Sequence, residues 1–117
     1  MERTVTIDGK EVRMRASALI PRLYRYKFGR DVVADMNNLR KAYDKAQNEE
    51  GFLSALDLEV FEDIAWVMIR HAGEDIPDSP EEWLDSIDGV FSVYEILPVI
   101  LELWGANFKT TSSPKKK

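Results

Sequence analysis

Cysteine is absent from the 117 residues, and histidine occurs once, as His71. The first absence removes disulfides, thiolate metal sites and cysteine nucleophiles together. The second scarcity removes any metal site built on two or more histidines. The six glycines stand singly at turns and helix ends. They form no GxGxxG fingerprint and no phosphate loop, and HExxH and calcium-loop patterns are missing too. Long apolar runs are also lacking. The stretch 90–104 has few charges but carries Glu95, Pro98 and Glu102, and is too short and too polar to span a bilayer. Met1-Glu2-Arg3-Thr4 opens no signal region, so export is not expected. The adjacent acids Glu62–Asp63 and Glu81–Glu82 point to different sides of a helix, make no acid/base pair and read as a solvated face. His71 lies near a helix C-terminus, where the macrodipole favours a cation, and asks for no further role. The expectation is a non-enzyme, with no catalytic residue, metal or cofactor.

What is present suffices for one core. Hydrophobic residues make up 44% of the chain, and the length suits a single domain. The net charge of −5 hides a segregation. Lys10 to Arg30 holds seven bases and one acid, Glu11, whereas 48–103 holds fifteen acids and one base, Arg70. Lys109, Lys115, Lys116 and Lys117 add a basic end. Three arrangements answer to this pattern. The basic part packs beside the acidic part of its own chain; or a second copy docks its acidic face on the basic one, giving a homo-oligomer; or the basic stretch, with Tyr24, Tyr26 and Phe28 interleaved, binds nucleic acid. The acidic remainder repels phosphates and weighs against the last.

Periodicity gives the architecture. Thr4-Val5-Thr6-Ile7 and Lys10-Glu11-Val12-Arg13-Met14-Arg15 alternate polar and apolar about Asp8-Gly9, which predicts a hairpin over 3–15 with Val5, Ile7, Val12 and Met14 on one face. Helices are predicted over about 18–28, 32–47, 57–72, 80–87 and 91–104. Ser17 is the expected cap of the first, Leu19, Leu23 and Tyr26, with Ile20 beside them, its apolar stripe, and Gly29 its stop. Asp31 caps the second, whose Val32, Met36, Leu39, Tyr43 and Ala46 share a face. The third buries Phe61, Ile64, Ala65, Met68 and Ala72, and sets Trp66 on the opposite face among Glu59, Glu62, Asp63 and Arg70, where it either folds back on the core or anchors a partner. Ser79-Pro80-Glu81-Glu82 starts the fourth. The fifth is apolar nearly all round, carries Pro98 and ends at Gly105; it reads as the central helix or as a surface for another chain. The fold class is α+β, mainly helical: an N-terminal β-hairpin followed by four to five helices around one core. The single domain covers 1–108, and 109–117 reads as a disordered basic tail.

The run 15–31, Arg-Ala-Ser-Ala-Leu-Ile-Pro-Arg-Leu-Tyr-Arg-Tyr-Lys-Phe-Gly-Arg-Asp, resembles the N-terminal signature of the tail assembly chaperones of long-tailed, siphovirus-type phages and prophages of Gram-positive bacteria. Leu39-Arg40-Lys41-Ala42, Glu81-Glu82-Trp83-Leu84 and the run 97–104, from Leu97 to Trp104, resemble the same family, so the likeness covers nearly the whole chain. It implies a non-catalytic assembly factor of the host bacterial cytoplasm, absent from the mature virion. The partners implied are the tape measure protein, which the chaperone binds and keeps soluble, and the tail tube protein, recruited through a longer form made by ribosomal frameshifting. Lys115-Lys116-Lys117 are compatible with an adenine run on which a ribosome slips.

The expected partner surface comprises Trp66, the cations Arg22, Arg25, Lys27 and Arg30, and Ile96, Ile100, Leu103 and Trp104 of the last helix. The alternative function is a small phage nucleic-acid-binding protein using Arg13 to Arg30. A virion component such as a head–tail connector ranks third.

Overall fold

The N-terminal alternation forms two antiparallel strands, β1 (Glu2–Ile7) and β2 (Lys10–Arg15), with Val5 opposite Val12 and Ile7 opposite Lys10. Asp8 and Gly9 turn the chain with φ of 56° and 76°, the double left-handed geometry of a type I′ turn. Val5, Ile7 and Met14 are buried and Val12 half-buried, on one face. An isolated hairpin is marginal in water. Here that face lies on two helices, β2 against Ala55–His71 and β1 against Val93–Ser112.

The computed structural model describes residues 1–49, 53–89 and 91–112, without the side chains at 48–49 and 106–112. The helices are α1 (Ile20–Phe28), α2 (Val32–Glu49), α3 (Ala55–His71), α4 (Pro80–Asp85) and α5 (Val93–Ser112). The mainly helical α+β class therefore stands.

The centre is α3, not α5. Phe61 and every residue from Asp63 to Ile69 are buried, as expected of a helix enclosed on all sides. It touches β2, α1, α2, α4 and α5. Each large side chain buried there contributes about 1.5–3 kcal/mol. The helix starts at Ala55, about two residues before the expected start, behind a capping box. Ser54 Oγ accepts from the Asp57 amide at 3.0 Å, and the Asp57 carboxylate accepts from the Ser54 amide at 3.3 Å. Such reciprocal bonds satisfy two helix-end donors.

Local signals explain the other bounds. Ser17 does not cap α1: its Oγ accepts from the Leu19 amide at 3.2 Å, a turn that delays the helix to Ile20. Gly29 ends α1 at φ 69°, its amide donating to the Arg25 carbonyl. The Asp31 carboxylate accepts from the Val33 amide at 2.9 Å and starts α2, which buries Val32, Met36 and Leu39. Ser79 caps α4 through the Glu82 amide, and Pro80 follows it. The α5 ladder opens where the Ser92 carbonyl accepts from Glu95 and Ile96. Gly105 does not stop that helix. Its φ stays outside the left-handed region, and an interior glycine costs only about 0.5–1 kcal/mol. Residues 109–112, expected in the tail, are therefore helical; 113–117 lie outside the described residues.

Candidate functional site

The face of α1 is turned from the expected one. Ile20 and Tyr24 point inward, whereas Leu19 and Tyr26 are 45% and 75% exposed. Burying Tyr24 puts its ring 5.0 Å from Phe28, and Phe28 meets the Trp66 ring edge-on at 6.0 Å. Trp66 itself is only 7% exposed. Its indole N–H donates to the Pro77 carbonyl at 2.9 Å, and the Lys27 ammonium and Arg70 guanidinium lie 5.1 and 5.6 Å from its ring centre. Trp66 is thus no free-standing anchor; aromatic packing and two cations hold it.

Between α1 and α3 lies an open groove of roughly 490 Å³. Leu19, Leu23 and Tyr26 form one wall, and Trp66 and Val67 the floor. Lys27, Arg70 and His71 complete the lining, and no carboxylate contributes. The volume falls in the ordinary range for ligand sites. Tyr26 also borders a neighbouring depression lined by Arg22, Arg25 and Arg30 with one carboxylate, Asp31, so a mainly positive surface continues round α1.

At the other end of this face a polar cluster closes the α1–α2–α3 junction. Arg30 Nη2 donates to Asp63 Oδ2 and to the Tyr24 hydroxyl, each at 2.8 Å, and Arg30 Nε donates to Asp35 Oδ2 at 3.0 Å. The Tyr24 hydroxyl donates to Asp35 Oδ2 at 2.7 Å. Burial pushes the Tyr24 phenol up, and its bond to Asp35 adds to this, so the proton stays. Burial alone would lower Arg30, but its bonds to Asp63, Tyr24 and Asp35 outweigh that and raise it. Burial raises the Asp63 carboxyl, and Arg30 pulls it back. Because arginine keeps its charge, the cluster holds as an ion pair.

His71 departs from the cationic expectation. Burial lowers its imidazole, and Arg15 and the N-terminal ammonium lower it further. Ser17 Oγ lies 2.7 Å from His71 Nε2 and accepts from the Leu19 amide. The contact ties the β2–α1 connection to the end of α3. Among the described residues no carboxylate bonds the other ring nitrogen, so the pair lacks the orienting acid of a catalytic triad. Among them, too, no group of three His, Cys, Asp or Glu is placed to hold a metal, and no helix is long and apolar enough to cross a membrane.

The nine expected contact residues therefore separate. Ile96, Ile100 and Leu103 are buried, because the inner face of α5 supplies the hairpin's core; they offer no free surface, which corrects that expectation. Trp104 is half-buried. Arg30 is engaged in the cluster, and its neighbour Asp63 is buried and not part of a solvated face. Lys27 and Trp66 line the groove, and Arg22 and Arg25 flank it. Leu19, Leu23 and Val67 complete it. The reading that places basic and acidic parts side by side in one chain fits the pairs Arg30–Asp63, Arg13–Glu74 and Arg3–Glu102. Comparison with family models, curated proteins and solved structures finds no match for the chain.

Proposed function

We propose that this chain is a non-catalytic tail assembly chaperone of a long-tailed phage or prophage, which binds the tape measure protein and keeps it soluble during assembly. The observation that carries the reading is the apolar groove left open between α1 and α3. A long helical client with uncovered apolar stripes aggregates, and a small domain with a groove and a charged exterior shields it. The signature residues 15–31 include all of α1, so one of the four stretches that carry the resemblance supplies a wall of that groove. Recruitment of tail tube subunits, through a longer frameshifted form, and action in the host cytoplasm outside the finished virion belong to the same proposal.

The test is co-expression with the tape measure protein of the same genome. The expected outcome is a soluble client that co-purifies at low and high salt. An insoluble client, with this protein eluting alone, refutes the proposal. The nucleic-acid alternative has less support. Among its bases Arg13 is paired with Glu74 and Arg30 with Asp63, which leaves fewer charges to neutralise phosphates.

A further inference from the structure

The groove also constrains what occupies it. Its lining comes from helical side chains of α1 and α3 and from Leu19, just before α1. The backbone groups of those helices are satisfied internally. An extended segment laid there would find no main-chain partners, whereas a helix brings its own hydrogen bonds and inserts only side chains. The occupant must also answer the rim. Lys27 and Arg70 stand over Trp66, and Arg22 and Arg25 lie beyond Tyr26. Arg70 pairs with Asp78, whose side chain is 89% exposed; among the described residues no carboxylate pairs with Lys27, Arg22 or Arg25. A second basic surface would be repelled and an acidic one drawn in.

Resting on the chaperone reading, we infer that the α1–α3 groove is the client site, and that its occupant is an amphipathic helix of the client with an apolar stripe flanked by Asp or Glu. Apolar side chains at i, i+3/i+4 and i+7 fill the space between Leu19, Leu23, Tyr26 and Trp66. Acidic side chains beside the stripe meet Lys27 and Arg70 on one side and Arg22 and Arg25 on the other. Tyr26, the most exposed large apolar residue of the groove, closes over the inserted helix.

Two helical peptides with the same leucine stripe, one flanked by Glu and one by Lys, test this directly by calorimetric titration. The Glu peptide is expected to bind the wild type at least about tenfold more tightly, a difference of about 1.4 kcal/mol. Tyr26→Asp, on a side chain already in water, should lower that affinity about tenfold with an unchanged circular dichroism spectrum. The double variant Lys27→Glu/Arg70→Glu should prefer the Lys peptide. Absence of binding, equal affinity for the two peptides, or affinities unmoved by these variants overturns the inference. So does displacement of the Glu peptide by a single-stranded oligonucleotide with steep salt dependence, which would make the surface a nucleic-acid site. Co-expression separates this inference from the chaperone reading. If Tyr26→Asp still holds the tape measure protein in solution, the groove assignment falls and the chaperone stands. If the wild type fails there while binding the Glu peptide as described, the chaperone falls and the groove stands.

Discussion

Replacing Arg30 with methionine keeps an aliphatic stem beside Tyr24 and Phe28 but removes the guanidinium that joins Asp35, Asp63 and Tyr24. The Asp63 side chain, 8% exposed, then loses its cation. Opening a buried pair by removing one partner costs roughly 3–5 kcal/mol. The Arg30 side chain is 37% exposed, so water already weakens the pair, and we expect about 3 kcal/mol at pH 7. That is a large part of the 5–15 kcal/mol typical of a domain. Urea denaturation should show a lower midpoint with an unchanged slope. The loss should also depend on pH. Burial already raises the Asp63 carboxyl, and removing Arg30 raises it further. A carboxyl raised in the folded state favours folding most below its unfolded value, and this stabilisation is lost as pH rises through the folded value. The deficit of Arg30→Met should therefore shrink as pH falls toward 4. Adding Asp63→Asn should recover at least about half of the loss at pH 7, since the most buried charge is then gone and only Asp35, whose side chain is 19% exposed, lacks its cation. A deficit below about 1 kcal/mol, or one equal in the Asp63→Asn background, would refute the assignment of Arg30 as the counter-ion that permits Asp63 to be buried.

Three further outcomes are expected. His71 is lowered in the folded state, so its contribution is present above the ordinary imidazole value of about 6.5 and is lost as pH falls from there through the lower folded value; the wild-type melting temperature should drop as pH falls below about 6.5, and less so in His71→Gln. Gly29→Ala places a side chain at φ 69° with open space around it, and the backbone conformation alone should cost about 1–2 kcal/mol in thermal or urea unfolding. Ser54→Ala removes the capping bond of the central helix and should cost about 1 kcal/mol, with amide exchange rising first at Asp57.

Elements announced by local chemistry were legible in the sequence. Asp8-Gly9 between alternating runs, Gly29 followed by Asp31, and Ser79 before Pro80 each place a turn or cap through contacts within a few residues, and each stands in the structure. The phase of α1 was not legible. Leu19, Leu23 and Tyr26 make a consistent stripe with Ile20 beside it, yet it is Tyr24 that goes inside with Ile20, because Tyr24 finds a hydroxyl partner in Asp35, supplied by α2. That partnership joins separate elements, and no spacing within α1 encodes it. Asp63 misled for the same reason, and of the two readings open for Trp66 the one that folds it onto the core holds. Among charged neighbours they resemble a solvated face, until Arg30 and Lys27 arrive from the end of α1 and cover them. The groove is a by-product of that phase: turning Tyr24 inward turns Leu19 and Tyr26 outward, which the linear pattern hid. Gly105 carried a stop signal that applies only when the residue turns left-handed, and here it does not.

The connection between α3 and α4 has no regular structure, yet three side chains donate to its carbonyls: Arg70 to Ile76, Trp66 to Pro77 and Lys27 to Asp78. All three donors also line the groove floor or rim. A guest that displaces the indole acts directly on its bond to the Pro77 carbonyl, in the segment that leads into α4. Occupancy would then be recorded as a change in amide exchange between residues 74 and 79, a clock running at a distance from the point of contact.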